Sequence, residues 1–299
     1  MAARDRSTRR ASASHRAPTR TAAAWPEGPV RIPTGTVELV RDPDQPDGVT
    51  VLVNGVPSSY LDLARPEVLA FEYMQQMAAV VARLDDGTGP LDVVHLGAAG
   101  CALARALHAL RPGSRHVAVE LDTALPELVR GWFDLPRSPA LRIRAGDARA
   151  QLATMPEASA DVVVRDVFAG SVTPAHLVTR EMAAEVVRVL RPGGLYLVNC
   201  ADRPPLATAR CEVATLRDAF VDVAAIAEPG VLRGRGYGNL VLAGTDRTDV
   251  LGAPALARAV RSLPAPARLL HGEELLTFAG RSPALRDPAT DPGADPGTA

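Results

Sequence analysis

Lysine is missing altogether. All 33 basic residues of this 299-residue chain are arginine, so Schiff-base chemistry and a lysine general base are excluded. Cysteine is scarce: Cys101, Cys200 and Cys211 are odd in number and lack C-x-x-C spacing, which argues against a disulfide framework and a structural zinc site. No uninterrupted apolar run approaches the ~20 residues that a membrane-spanning helix needs, and a cytoplasmic location is the expectation. Charge of one sign is also lacking, because the net charge is only −1 and no global field draws the chain to nucleic acid or a lipid surface. What is present is apolar mass. At 47% hydrophobic and 22% charged, the chain can bury the core of one sizeable α/β domain with appendages, or of two small ones.

Composition divides the chain into four parts. Residues 1–28 open with an Arg-, Ala-, Ser- and Thr-rich stretch without an apolar face, and residues 281–299 alternate Pro, Gly and Asp; both are expected to be disordered tails. Residues 29–65 hold β-rich runs at Val37–Val40 and Val49–Val53, followed by Asn54-Gly55, a strong hairpin signal. A small antiparallel sheet is the expectation there. Residues 66–84 carry apolar side chains at helical spacing and predict one long amphipathic helix.

From Leu91 the pattern alternates strand and helix. Apolar runs at 92–96, 116–120, 141–144, 161–164, 195–198 and 239–242 are each of strand length, and helical stretches at 102–110, 123–132, 180–190 and 206–220 separate most of them. Buried runs joined by helices predict a doubly wound, mostly parallel sheet spanning residues 66–280. Residues 221–228 and 238–244, joined by the Gly- and Arg-rich Arg233–Gly238, read as a closing antiparallel hairpin.

Such sheets bind ligands at the carboxyl ends of their strands. After the first strand comes Gly97-Ala-Ala-Gly100, where glycine lets backbone approach a ligand; Ala99 stands where a dinucleotide loop would want a second glycine. The second strand ends in Glu120, 20 residues past Gly100, followed by Asp122. A carboxylate there can accept both ribose hydroxyls; the other reading, an acid capping the next helix, suits Asp122 better than Glu120. The third strand runs into Asp147-Ala148, where the acid can accept from an adenine amine while the Ala148 N–H donates to the ring; a helix N-cap is the other reading. The fourth strand ends at Asp166. Three acids ending three successive strands, with a glycine loop after the first, point to an adenosyl ligand.

Taken together, Gly97–Gly100, Glu120–Asp122, Asp147-Ala148, Asp166 and Arg191-Pro-Gly-Gly194 resemble class I S-adenosylmethionine-dependent methyltransferase folds. The small sheet in front of them, and the Phe71-Glu-Tyr73-Met segment leading into the long helix, are most similar to the spermidine synthase (polyamine aminopropyltransferase) family. The resemblance implies a Rossmann-like transferase that takes S-adenosylmethionine or its decarboxylated form as co-substrate, with a small-molecule amine as partner and no metal. Gly97 and Gly100 would border the methionine-like portion, Glu120 the ribose, and Asp147 and Ala148 the adenine, with Asp122 also among the cofactor-binding residues. Tyr73 and Asp166 would be the catalytic pair in the amine pocket. The family shows a second acid three residues after the first, which helps deprotonate the attacking amine; here that place is Ala169. Asp202 and Glu72 are the acids left to supply charge. Aminopropyl transfer, methyl transfer and silent nucleoside binding all stay open at this point, as does a homodimer; nucleic acid and membrane are not expected as partners.

Structural roles are expected for His95, His108, His116 and the buried Cys200, and a place beside the pocket for His176. Arg165, set in an otherwise apolar strand, either lies at an edge or pairs with an acid.

Overall fold

A computed structural model describes residues 25–85 and 87–288. Residues 1–24 of the expected tail over 1–28, and residues 289–299 of the C-terminal one, lie outside the described residues. Trp25 is not part of a free tail: it packs on the core and its Nε1 donates to the Trp132 carbonyl at 3.3 Å.

Residues 30–62 form a four-stranded antiparallel sheet in the order β1 (Val30–Ile32), β2 (Gly35–Arg41), β3 (Gly48–Val53), β4 (Val56–Asp62). Asn54 and Gly55 both take positive φ, 52° and 77°, the geometry that lets a two-residue turn match the twist of its strands. One face of this sheet, including Val37, Val49, Val51 and Leu61, is fully buried.

The long helix expected over 66–84 is shorter. Helix α1 runs Glu72–Val81, with Phe71 as an extended N-cap (ψ 127°). Leu69 is buried, and its carbonyl accepts a bond from Gln75 Nε2 at 2.7 Å. The apolar spacing upstream is thus that of a packed loop, and the shortening puts Glu72 and Tyr73 in the first turn of α1.

The second sheet has eight strands. Its elements in chain order are β5 (Asp92–Leu96), α2 (Ala102–Leu110), β6 (Arg115–Glu120), α3 (Leu125–Trp132), β7 (Leu141–Ala145), α4 (Ala148–Ala153), β8 (Ala160–Arg165), α5 (Arg180–Val189), β9 (Leu190–Asp202), α6 (Ala207–Ala219), β10 (Asp222–Ala227), α7 (Pro229–Leu232), β11 (Gly238–Thr245), α8 (Pro254–Arg261), β12 (Arg268–His271) and α9 (Glu273–Ala279). The strand order is β12-β10-β11-β9-β8-β5-β6-β7. Strands β5 to β9 pair in parallel, whereas β10 and β11 form the expected antiparallel hairpin, which β12 extends. This is a Rossmann-like class I methyltransferase fold carrying a small antiparallel sheet.

Alternate residues of each central strand feed two cores. Val93, Val162, Val164, Leu195 and Leu197 face α1, α2, α3, α8 and the small sheet; Val94, Val163, Tyr196 and Val198 face α4, α5, α6 and α9. Burial of both faces explains why these strands read as continuous apolar runs rather than alternating ones. Strand β9 is longer than its apolar run suggests, because it starts inside Leu190-Arg-Pro-Gly-Gly194.

The C-terminal expectation also needs correction. Residues 281–288 are not a free tail: the Arg180 N–H donates to the Leu285 carbonyl, the Leu285 N–H to Thr215 Oγ1, and the Asp287 N–H to Glu181 Oε2, each at 2.9 Å. A Pro- and Asp-rich segment has little to bury, but α5 and α6 offer it polar partners along its length. Among the described residues no helix is long and apolar enough to cross a membrane.

Candidate active site

The chain reverses its direction of winding between β5 and β8, and a cleft of about 610 Å³ opens where their carboxyl ends diverge. The small sheet roofs it, with Thr34, Asn54 and Ser59 contributing to the lining.

Gly97 lines the cleft at φ 91°, and any Cβ there would meet the Asp166 carbonyl oxygen at 2.1 Å. Only glycine lets the ends of β5 and β8 come this close. Gly100 is different. It does not line the cleft, and a Cβ on it would strike Ser59 and Leu61 of the small sheet, whose Ser59 Oγ accepts the Gly100 N–H at 2.9 Å. The expected contact of Gly100 with the ligand is therefore corrected: its smallness admits the roof.

The N–H groups of this loop are all spent. Gly97 donates to the Val119 carbonyl (3.0 Å), Ala98 and Ala99 to Glu120 Oε2 (3.3 and 2.9 Å), Gly100 to Ser59, and Cys101 to the Ala98 carbonyl (2.7 Å). Glu120 lines the cleft as expected and holds the loop; its Oε1 accepts the Asp122 N–H at 3.1 Å. Asp122 itself stays out of the cleft. Its buried carboxylate accepts from the Thr34 N–H and hydroxyl (2.8 Å each) and from the N–H groups of Ala124 and Leu125 (2.8 and 2.9 Å). Burial pushes this carboxyl up, but the four bonds outweigh it and hold it below the usual range. Of the two readings of Asp122, ligand acid and helix cap, the structure shows the cap, and the same carboxylate clamps the small sheet to the start of α3.

At the other end of the cleft, Asp147 caps α4 by accepting the Ala150 N–H at 2.9 Å, and its Oδ2 lies 2.9 Å from His176 Nε2. Asp147, Ala148 and His176 all line the cleft. Asp147 is thus a helix cap whose side chain also stands in the cleft wall.

Tyr73 and Asp166 meet. The Tyr73 hydroxyl donates to Asp166 Oδ2 at 2.8 Å, and Asn199 Nδ2 donates to Oδ1 at 2.9 Å. Removal from water pushes the Asp166 carboxyl above its usual value, with these two bonds pulling partly back. Burial, and then the charge of Asp166, push the Tyr73 hydroxyl far up, so it stays a neutral donor. Glu72 lines the cleft beside them and accepts from Asn239 Nδ2 at 3.2 Å. Asp202 does not join them: its carboxylate takes the N–H groups of Arg203 and Ala209 at the start of α6. Ala169 lines the cleft's mouth, its N–H bonded to the Val172 carbonyl at 2.8 Å.

Arg165 is explained by the fold. It is 1% exposed and pairs at 2.7 Å with Glu212 of α6, itself 4% exposed, and also donates to the carbonyls of Leu177 and Asn199. It thereby ties the strand ends on which Asp166 and Asn199 sit. The histidines of the sheet are structural, as expected. His95 Nε2 lies 3.1 Å from His116 Nδ1, and burial pushes His95 well below its usual value and His116 down to about 4. His95 nevertheless reaches the cleft wall. Burial pushes the Cys200 thiol well up, which leaves it an apolar filler.

Sequence reasoning missed Asn199, Asn239, Tyr237 and the small-sheet residues of the lining. A polar Asn199 within an otherwise apolar strand run was the one available signal.

A methyltransferase-domain family model matches residues 94–198. The crystal structure of a probable spermidine synthase from Corynebacterium glutamicum ATCC 13032 superposes with a TM-score of 0.83 at 37% sequence identity, covering 90% of this chain and 99% of that one. The chain belongs to the spermidine synthase-like family. A polyamine aminopropyltransferase of Vibrio vulnificus is 28% identical over 129 residues, a match spanning 42% of this chain and 43% of that protein, less than half its length. The fold is shared more widely: human methyltransferase-like protein 13, solved with SAH, superposes with a TM-score of 0.55 at 22% identity over 74% of this chain and 98% of that one. At family level the relatives' names and the methyltransferase domain support a transferase.

Proposed function

We propose that the protein is an aminopropyltransferase: it binds decarboxylated S-adenosylmethionine and passes the aminopropyl group to a small amine. One observation carries this reading over methyl transfer. Glu72, Glu120, Asp147 and Asp166 line the cleft, no arginine does so among the described residues, and the glycine-loop N–H groups are already bonded. Such a wall suits a ligand with a sulfonium and an ammonium. It offers no arginine to the carboxylate that S-adenosylmethionine carries, and a buried charge without a charged partner is costly.

On this reading Glu120 accepts from the ribose hydroxyls and Asp147 from the adenine amine. The acceptor nitrogen attacks the aminopropyl carbon bonded to sulfur, the C–S bond breaks, and neutral methylthioadenosine leaves. Asp166, steadied by Tyr73 and Asn199, faces the nitrogen and takes up the proton it sheds. A carboxyl raised by burial is better matched to that task than an ordinary one.

Titration calorimetry with both nucleosides tests this. The decarboxylated form is expected to bind at least about tenfold tighter, the equivalent of ~1.4 kcal/mol. Equal or tighter binding of S-adenosylmethionine, with a methylated product, would sink it.

A further inference from the structure

The order of residues 281–288, unexpected from their composition, has a route to the cleft. The Asp287 carboxylate grips Arg149 of α4 with both oxygens, at 2.8 and 2.7 Å. Arg149 donates in turn to the His176 carbonyl at 3.1 Å, and His176 Nε2 lies 2.9 Å from Asp147 Oδ2. The strap is held at its own end by Leu285, bonded to both Arg180 and Thr215, and by the Asp287 N–H on Glu181. So three hydrogen bonds anchor the strap, and the Asp287–Arg149 pair links it through His176 to a cleft acid.

We infer that the strap Ser282–Pro288 sets the adenine end of the cleft, with Asp287 and Arg149 as positioning residues that hold the His176 loop against Asp147. The inference rests on the adenosyl reading of the cleft. Neither residue lines the cleft, so any effect on ligand passes through Asp147 and His176. A bidentate guanidinium–carboxylate pair fixes orientation as well as distance. The pair is partly exposed, with side-chain exposures of 25% and 32%, so its effect is modest and weakens with salt. The recognised chemistry is a purine with an exocyclic amine.

The experiment compares methylthioadenosine with methylthioinosine, which lacks that amine, by titration calorimetry on the full chain, the Asp287→Ala and Asp287→Glu variants, and a chain ending at Arg281, with melting followed in parallel. The wild type is expected to prefer methylthioadenosine. Asp287→Ala and the truncation should lose about five- to tenfold in affinity for it and little for methylthioinosine, so the preference narrows, while Asp287→Glu keeps most of it. A merely structural strap would lower the melting temperature and leave that preference intact, which would overturn the inference. If the wild type binds methylthioadenosine and all variants match it, the strap is irrelevant and the adenosyl reading stands. If the wild type binds neither nucleoside, that reading fails and the inference with it.

Discussion

Both oxygens of Asp166 are engaged by protein donors, and the place where the family has its second acid is Ala169. An attacking amine with a pKa of about 10 must shed a proton, and one carboxylate already accepting two bonds is a modest acceptor for it. Turnover of putrescine is therefore expected to be slow. Ala169 stands at the cleft's mouth, and the positive φ of its turn falls on Gly170 (65°), so a longer side chain at 169 suits the backbone. Ala169→Asp should raise aminopropyl transfer, with ~10²-fold as the lower range for general-base assistance. Product analysis with decarboxylated S-adenosylmethionine and putrescine checks it. Fast wild-type turnover would mean that Asp166 or Glu72 suffices. At this scale the strand-end acids Glu120, Asp147 and Asp166 were legible, because an acid that closes an apolar run stands out. Asp122 looked the same in sequence. What separates it is Thr34, 88 residues earlier, and no local pattern carries a contact of that separation.

Among the elements, the small sheet depends on that contact. The Asp122 carboxyl lies below its usual value, so between its folded and unfolded pKa values the folded state binds fewer protons than the unfolded one. Its contribution to stability is then complete above the unfolded value of about 4 and drains away as the pH falls through the folded value. Asp122→Asn should cost about 1–3 kcal/mol at neutral pH and flatten that part of the acid limb. Urea denaturation at a series of pH values measures both; an unchanged acid limb would remove the clamp. Central strands and helices were legible because double burial writes them as apolar runs. Helix α1 was overextended, since a packed loop around Leu69 shows the same spacing. The strands and helices after residue 245 were missed: α8 and α9 are short, and β12 is a four-residue edge strand.

As a whole molecule, the protein holds its cleft between two sheets that share one apolar core. A ligand seated there touches both and binds only the folded state, so methylthioadenosine at 100 times its Kd should stabilise the fold by ~2.7 kcal/mol. For a chain of this size that is a rise in Tm of roughly 5–10 °C. A thermal shift assay reads it directly; no shift at saturating ligand would show that the cleft is not the site. The topology was legible from strand–helix alternation, whereas the docking of the C-terminal strap was not. Its composition is that of a segment with nothing to bury, and its order comes from hydrogen bonds that helices α5 and α6 supply.

The carboxylates around the cleft also bear on how a cycle would end. On the proposed reaction the nucleoside enters as a sulfonium and leaves as a neutral thioether, so the step that breaks the C–S bond also cancels the sulfonium's share of the attraction that held the nucleoside. The aminopropylated amine keeps its positive charges and remains drawn to Glu72 and Asp166. Departure is then ordered by charge: the spent nucleoside loosens first, and the cationic product is the slower to go. Added salt would hasten the second release more than the first.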